Sequence, residues 1–146
     1  SKTAIKHILL SYTYLDGAQE TTSSLQQRGY PLAIISGSIN LLVEHVATEL
    51  AIPTWRASNK FIFDHNNRLD SIQAPDNDGL DKLIQLSNIC EERSIELGDC
   101  LVIGDGANDS ELFKATGNGA TFTDSPIVDQ ARYTIASLRD ILSIVQ

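Results

Sequence analysis

Ile5, Ile8, Leu9 and Tyr12 recur at i, i+3, i+4 and i+7, the spacing that lines up side chains on one helical face. The chain is therefore predicted to open with a helix ending near Tyr14. A second helix is predicted over residues 18–28, stopped by Gly29 acting as a C-terminal cap. Residues 31–35 form a short apolar run, as expected of a strand covered on both faces, and the run breaks off at Ser36-Gly37-Ser38. Leu42, Val43, Val46, Ala47 and Leu50 then share one face of a third helix, closed by Pro53. Residues 60–64 and 68–72 are predicted to pair as a hairpin around His65-Asn66-Asn67, where asparagine tolerates left-handed geometry.

Beyond the hairpin the pattern predicts a helix over 80–90 and a second buried strand over 101–103. Helix 109–115, strand 120–122, helix 126–131, strand 133–135 and helix 138–145 follow. Strands and helices alternating at this spacing specify an α/β fold, a parallel sheet with helices on both faces. No repeat, linker or low-complexity stretch interrupts it, so residues 1–146 are expected to form a single domain.

Composition narrows the partners more than the fold. A net charge of −8 and a pI near 4.7 argue against nucleic acid or an anionic membrane surface as a partner. No apolar run approaches the roughly 20 residues of a membrane span, and Ser1-Lys2-Thr3 does not start a signal peptide, so the expected location is cytoplasmic. An anionic substrate would then need local positive charge from a metal, a lysine or backbone N–H groups. Cys90 and Cys100 lack a CxxC spacing and are read as reduced core thiols. His7, His45 and His65 show no ligand spacing and are expected at the surface, and Trp55 is read as packing.

Ligands of open parallel sheets bind beyond the carboxyl ends of the strands, and two motifs are expected there. Ser36-Gly37-Ser38 follows Ile35 and is predicted to open a helix, which would aim a hydroxyl and free N–H groups at one anion; an N-cap serine beside a glycine turn is the plainer reading. Gly104-Asp105-Gly106-Ala107-Asn108-Asp109 is more specific. Two glycines let the backbone turn tightly, and Asp105 and Asp109 flank that turn, where they can face one ion. Magnesium suits such a loop, because it takes a few carboxylates with waters and substrate phosphate. The plainer alternative has Asp109 capping the next helix and Asp105 closing a turn. Lys82, early in its helix, is either a solvated lysine or a fixed ammonium that balances phosphate charge.

Taken together, Ser36-Gly37-Ser38, Lys82 and Gly104-Asp105-Gly106-Ala107-Asn108-Asp109 resemble motifs two, three and four of the haloacid dehalogenase-like hydrolases, whose core is Rossmann-like. The helix over 18–28, the Arg28-Gly29-Tyr30 turn and the 46-residue interval from Ser36 to Lys82 look most like the phosphoserine phosphatase branch. The resemblance runs from about Ile5 to Val145. It implies that Asp105 ligates Mg2+, that Asp109 binds it through water or holds Lys82, and that Ser36 and the Gly37 N–H grip phosphate. Lys82 would balance charge and Asn108 would touch phosphate or substrate. The implied reaction is attack by an aspartate on a phosphomonoester, giving an aspartyl-phosphate that water hydrolyses, with a second aspartate as acid/base and the metal clamping the oxygens.

Neither of those aspartates has a counterpart here. Residues 8–13 are the rival position for their strand, with Ser11 and Thr13 replacing both carboxylates; Asp16-Gly17-Ala18-Gln19-Glu20, however, resembles the family's entry into the helix before motif two. In that register residues 1–14 are the tail of a helical cap, and the central nucleophile strand, which the family places between the strands ending at Ile35 and Ile103, is missing from the chain. Ser38 also replaces the second glycine usual in phosphoserine phosphatases. The resemblance thus implies the C-terminal part of a magnesium-dependent phosphomonoesterase for a small phosphorylated metabolite, inactive alone and complemented by an N-terminal fragment or a second copy. A non-catalytic phosphate- or cation-binding domain, or one chain of a two-chain phosphatase, are the alternatives.

Overall fold

In the computed structural model, which describes residues 1–146, contacts fall into two compact units, Ser1–Asp76 and Asn77–Gln146. The first unit is built on α1 (Lys2–Leu9), α2 (Ala18–Gln27), β1 (Ala33–Ile39), α3 (Asn40–Glu49), β2 (Thr54–Phe63) and β3 (Leu69–Gln73). Helix α2 ends as its sequence dictates. Gly29 takes φ +83°, and the Tyr30 N–H closes back on the Leu25 carbonyl, satisfying a carbonyl that the helix leaves orphaned. Thr21 and Leu25, one turn apart, are its buried face.

Strand β1 pairs in parallel with the first half of β2, and the second half of β2 turns back antiparallel on β3. The hairpin falls where expected: Asn67 has φ +58°, and Asp64 Oδ1 accepts from the N–H groups of Asn66 and Arg68 at 2.8 and 2.9 Å. Strand β2, however, starts at Thr54, six residues before the predicted hairpin arm. Residues 54–59 carry no apolar run to announce a strand; their partner β1 extends them. The core of this unit gathers Leu25, Leu41, Val43, Ala47, Ile52 and Ala57.

Two expectations for this unit are corrected. Helix α1 stops at Leu9, capped by the Leu10 N–H on the Lys6 carbonyl, and Ser11 Oγ donates to the Ile8 carbonyl, so residues 8–13 form no strand and the helix falls short of Tyr14. Strand β1 runs through Ser36-Gly37-Ser38 to Ile39, with a register shift between Ser36 and Ile39, rather than ending before them. Asn59 Nδ2 donates to the Gly37 carbonyl at 2.5 Å, and the Asn40 amide both donates to and accepts from the Phe61 backbone, so side chains continue the ladder where the backbones part. His45 lies at the surface as expected, its side chain 37% exposed and 3.3 Å from Glu49.

The second unit contains α4 (Asp78–Arg93), β4 (Val102–Ile103), α5 (Ser110–Thr116), β5 (Gly119–Phe122), β6 (Tyr133–Ile135) and α6 (Ile141–Ile144). Its three strands are parallel, in the order β4-β5-β6. Leu86, Ile89, Leu112, Phe113, Ala120, Ile127, Ile135 and Ile141 form its core. The parallel strands flanked by helices are the α/β arrangement expected. The strand over 101–103 is not the buried one predicted, since β4 has two residues and Ile103 is 41% exposed; it pairs with β5 on one side only. Residues 126–131 contain a single 3-10 turn, Val128–Gln130, and 138–145 begin with another, Leu138–Asp140, before the four residues of α6. Each is too short to bury a full helical stripe.

Candidate active site

The loop after β4 is organised by the carboxylate of Asp109. Asp109 closes a 3-10 turn, Ala107–Asp109, and its Oδ2 accepts from the N–H groups of Asp105 and Gly106 at 3.1 and 3.2 Å. Folding the carboxylate back over the turn leaves no room beside Gly104, where a Cβ would run into the Asp109 side chain. Glycine at 104 is therefore a steric requirement.

The other oxygen of Asp109 meets Lys82. Helix α4 is fixed at its start by Asn77, whose side chain accepts from the Leu80 N–H at 2.9 Å, and Asp78 and Asp81 in its first turn complement the helix dipole. Lys82 follows one turn in, facing the protein interior. Its Nζ lies 2.8 Å from Asp109 Oδ1, and the two side chains are 7% and 10% exposed. A lysine so enclosed is no solvated surface residue. An ammonium and a carboxylate taken this far out of water hold each other in place.

Asp78 is a member of the cluster that sequence reasoning did not identify. Its Oδ2 accepts from Asn108 Nδ2, while its Oδ1 is buried without a partner. Its signal was faint: an acidic residue one turn before Lys82 reads as an ordinary helix-dipole residue. The two segments lie close, since a Cβ at Gly79 would sit in ordinary contact with the Asn108 carbonyl oxygen, 3.4 Å away. Two hydrogen bonds, Asn108 to Asp78 and Lys82 to Asp109, thus tie the start of α4 to the loop that carries Asp105.

The two loop carboxylates divide their tasks. Asp105 is exposed and its carboxylate has no hydrogen-bond partner, while Ser125 Oγ anchors its carbonyl at 3.1 Å. Asp109 has committed both oxygens. No group of three or more His, Cys, Asp or Glu stands together as a ready metal cage. One free carboxylate beside a second reachable only through water still fits magnesium, which characteristically retains several waters and takes few protein ligands.

Ser36 and Gly37 belong to the first unit. They lie within β1 rather than at a helix start, because α3 begins at Asn40 with Ile39 as its N-cap. Ser36 Oγ accepts from the Ser38 N–H at 3.1 Å, so its hydroxyl shapes the register shift between Ser36 and Ile39, beyond which β1 pairs again with β2.

Comparison with known proteins bears on the same residues. The family model for haloacid dehalogenase-like hydrolases matches residues 4–117, a stretch that includes Ser36, Lys82 and the loop through Asp109. A phosphoserine phosphatase of Methanocaldococcus jannaschii is 29% identical over 143 residues, covering 98% of this chain and 65% of that protein. Another, from Haemophilus influenzae, is 26% identical over 131 residues, covering 90% of this chain. The chain spans 65% and 41% of the length of these two relatives. Among solved structures, a phospho-aspartyl intermediate analogue of phosphoserine phosphatase superposes with a TM-score of 0.81 at 28% identity, over 99% of this chain and 70% of that one.

Proposed function

The chain belongs to the haloacid dehalogenase-like hydrolases, and on that premise we propose that it is the C-terminal part of a magnesium-dependent phosphomonoesterase acting on a small phosphorylated metabolite through an aspartyl-phosphate. The observation that carries this reading is the buried ion pair of Lys82 and Asp109, whose carboxylate also folds the Asp105 loop. In this reading Lys82 faces the transferring phosphoryl group, and Asp109 holds its ammonium in position. Asn108, fixed by Asp78, hydrogen-bonds phosphate or substrate, and Ser36 with the Gly37 N–H grips the phosphate oxygens.

Asp105 would ligate magnesium directly, with Asp109 reaching it through water. The ion would supply charge neutralisation at the phosphoryl oxygens. The attacking aspartate and its acid/base partner are not among these residues. The edge strands support a strand added from outside: β1 pairs only with β2, β4 pairs only with β5, and Ile103 is exposed beside the site loop. A complementing N-terminal segment or a second chain would bring the Asp-x-Asp pair.

Calorimetric titration of the chain with inorganic phosphate, with and without magnesium, tests the site. Magnesium-dependent phosphate binding that is lost in Asp105→Asn and weakened in Asn108→Ala is expected. Equal binding by wild type and both variants would place the ligand elsewhere and overturn the assignment.

A further inference from the structure

Ten residues apart in sequence, Cys90 and Cys100 meet in space: their sulfur atoms are 3.4 Å apart. Cys90 lies near the end of α4 and is 5% exposed, while Cys100 is half-buried two residues before the start of β4. Both are free thiols. A disulfide needs its sulfurs about 2.05 Å apart, so roughly 1.4 Å of approach separates this pair from a bond. The intervening segment can supply it. Ser94 leaves the helix at φ +54°, and Gly98 has open space around it.

We propose that Cys90 and Cys100 are a redox modification site, forming an intramolecular disulfide that staples α4 to the approach of β4. The oxidant is a hydroperoxide. The Cys100 thiolate, the more accessible of the two, attacks a peroxide oxygen; the O–O bond breaks, giving a sulfenic acid at Cys100 and releasing hydroxide, which takes up the thiol proton as water. The Cys90 sulfur then attacks the sulfenic sulfur. The S–S bond forms, the S–O bond breaks, and the Cys90 proton leaves with the hydroxyl as a second water. In sum two thiols and one peroxide become one disulfide and two waters.

Burial, and then the neighbouring Cys90 thiol, push the Cys100 thiol up to about 12. Thiolate is therefore scarce near neutral pH, and the reaction is slow there and faster in alkali. The bond would join the helix that carries Lys82 to the strand that leads into the Gly104–Asp109 loop, at the end of both elements remote from the ion pair. It forms or fails whether or not the chain turns over a phosphate ester.

The test treats the full chain with hydrogen peroxide at pH 9, removes the oxidant with catalase, unfolds the protein in N-ethylmaleimide and measures the intact mass. A product lighter by two hydrogens, carrying no maleimide, yielding a peptide that joins Cys90 to Cys100 and reverting with dithiothreitol is expected. Cys100→Ser and Cys90→Ser should each form no such product, and the first still decides the matter if the second, altering a buried side chain, fails to fold. The thermal midpoint of the oxidised wild type should rise and fall back on reduction. Two maleimide adducts after peroxide treatment, a cross-link only between copies, or an unchanged midpoint would overturn the proposal.

Discussion

Lys82 and Asp109 lie 27 residues apart in sequence and meet as a buried ion pair, Nζ to Oδ1 at 2.8 Å. Asp109 uses its second oxygen to fold the loop that carries Asp105. One carboxylate therefore links the position of a cation on α4 to the shape of the loop after β4.

Removing either partner leaves the other charged and buried. Lys82→Met and Asp109→Leu are each expected to cost about 3 to 5 kcal/mol of unfolding free energy, because an uncompensated charge stays behind. The double variant should lose clearly less than the sum of the two. Urea unfolding of all four proteins checks this, and additive losses would show that the pair contributes no coupling.

Gly104→Ala places a methyl group against the Asp109 carboxylate. The expected loss is about 1 to 3 kcal/mol, the usual cost of overpacking. Gly98→Ala, with open space around the site, is the control and should change far less. Similar urea midpoints for the two variants would mean that the loop relaxes freely around Asp109.

The chain alone is expected to hydrolyse para-nitrophenyl phosphate no faster in the presence of magnesium than its Asp105→Asn variant does. Positioning groups do not replace an absent nucleophile and acid/base pair. Turnover that depends on Asp105 would instead point to direct attack by water, since Ser11 Oγ is engaged with the Ile8 carbonyl.

Glu49 anchors the segment after α1: Tyr12 and Tyr14 both donate to its Oε2, at 2.6 and 2.5 Å. The hydrogen bond from Tyr12, then that from Tyr14, holds the Glu49 carboxyl below its ordinary range. A depressed carboxylate stabilises the fold above its unfolded pKa of about 4.3 and loses that contribution as pH falls through the lower folded value. Wild type should therefore exceed Glu49→Gln in urea midpoint at pH 7, with the gap closing below about pH 4. A gap independent of pH between 7 and 3 would rule out the carboxylate as its source.

Much of the fold was legible locally. The Gly29 stop of α2, the left-handed Asn67 in the hairpin and the Gly104–Asp109 loop are each specified within a few residues, because backbone sterics and turn hydrogen bonds act at that range. The motif spacing of Ser36, Lys82 and the loop was enough to indicate the family.

Other features depend on segments far apart in the chain, and periodicity cannot identify such partners. Strand β2 extends back to Thr54 because β1 lies beside it, and β4 is exposed because it is an edge strand, although its apolar residues read as buried. The same holds for the site and the thiols. That Lys82 is buried on Asp109, that Asp78 holds Asn108, and that Cys90 faces Cys100 follows from how α4 packs against the loop and the approach to β4. The sequence by itself determined which residues could act and where the chain turns. The tertiary structure decided which of them meet, because burial and pairing energies are settled only when distant segments exclude water together.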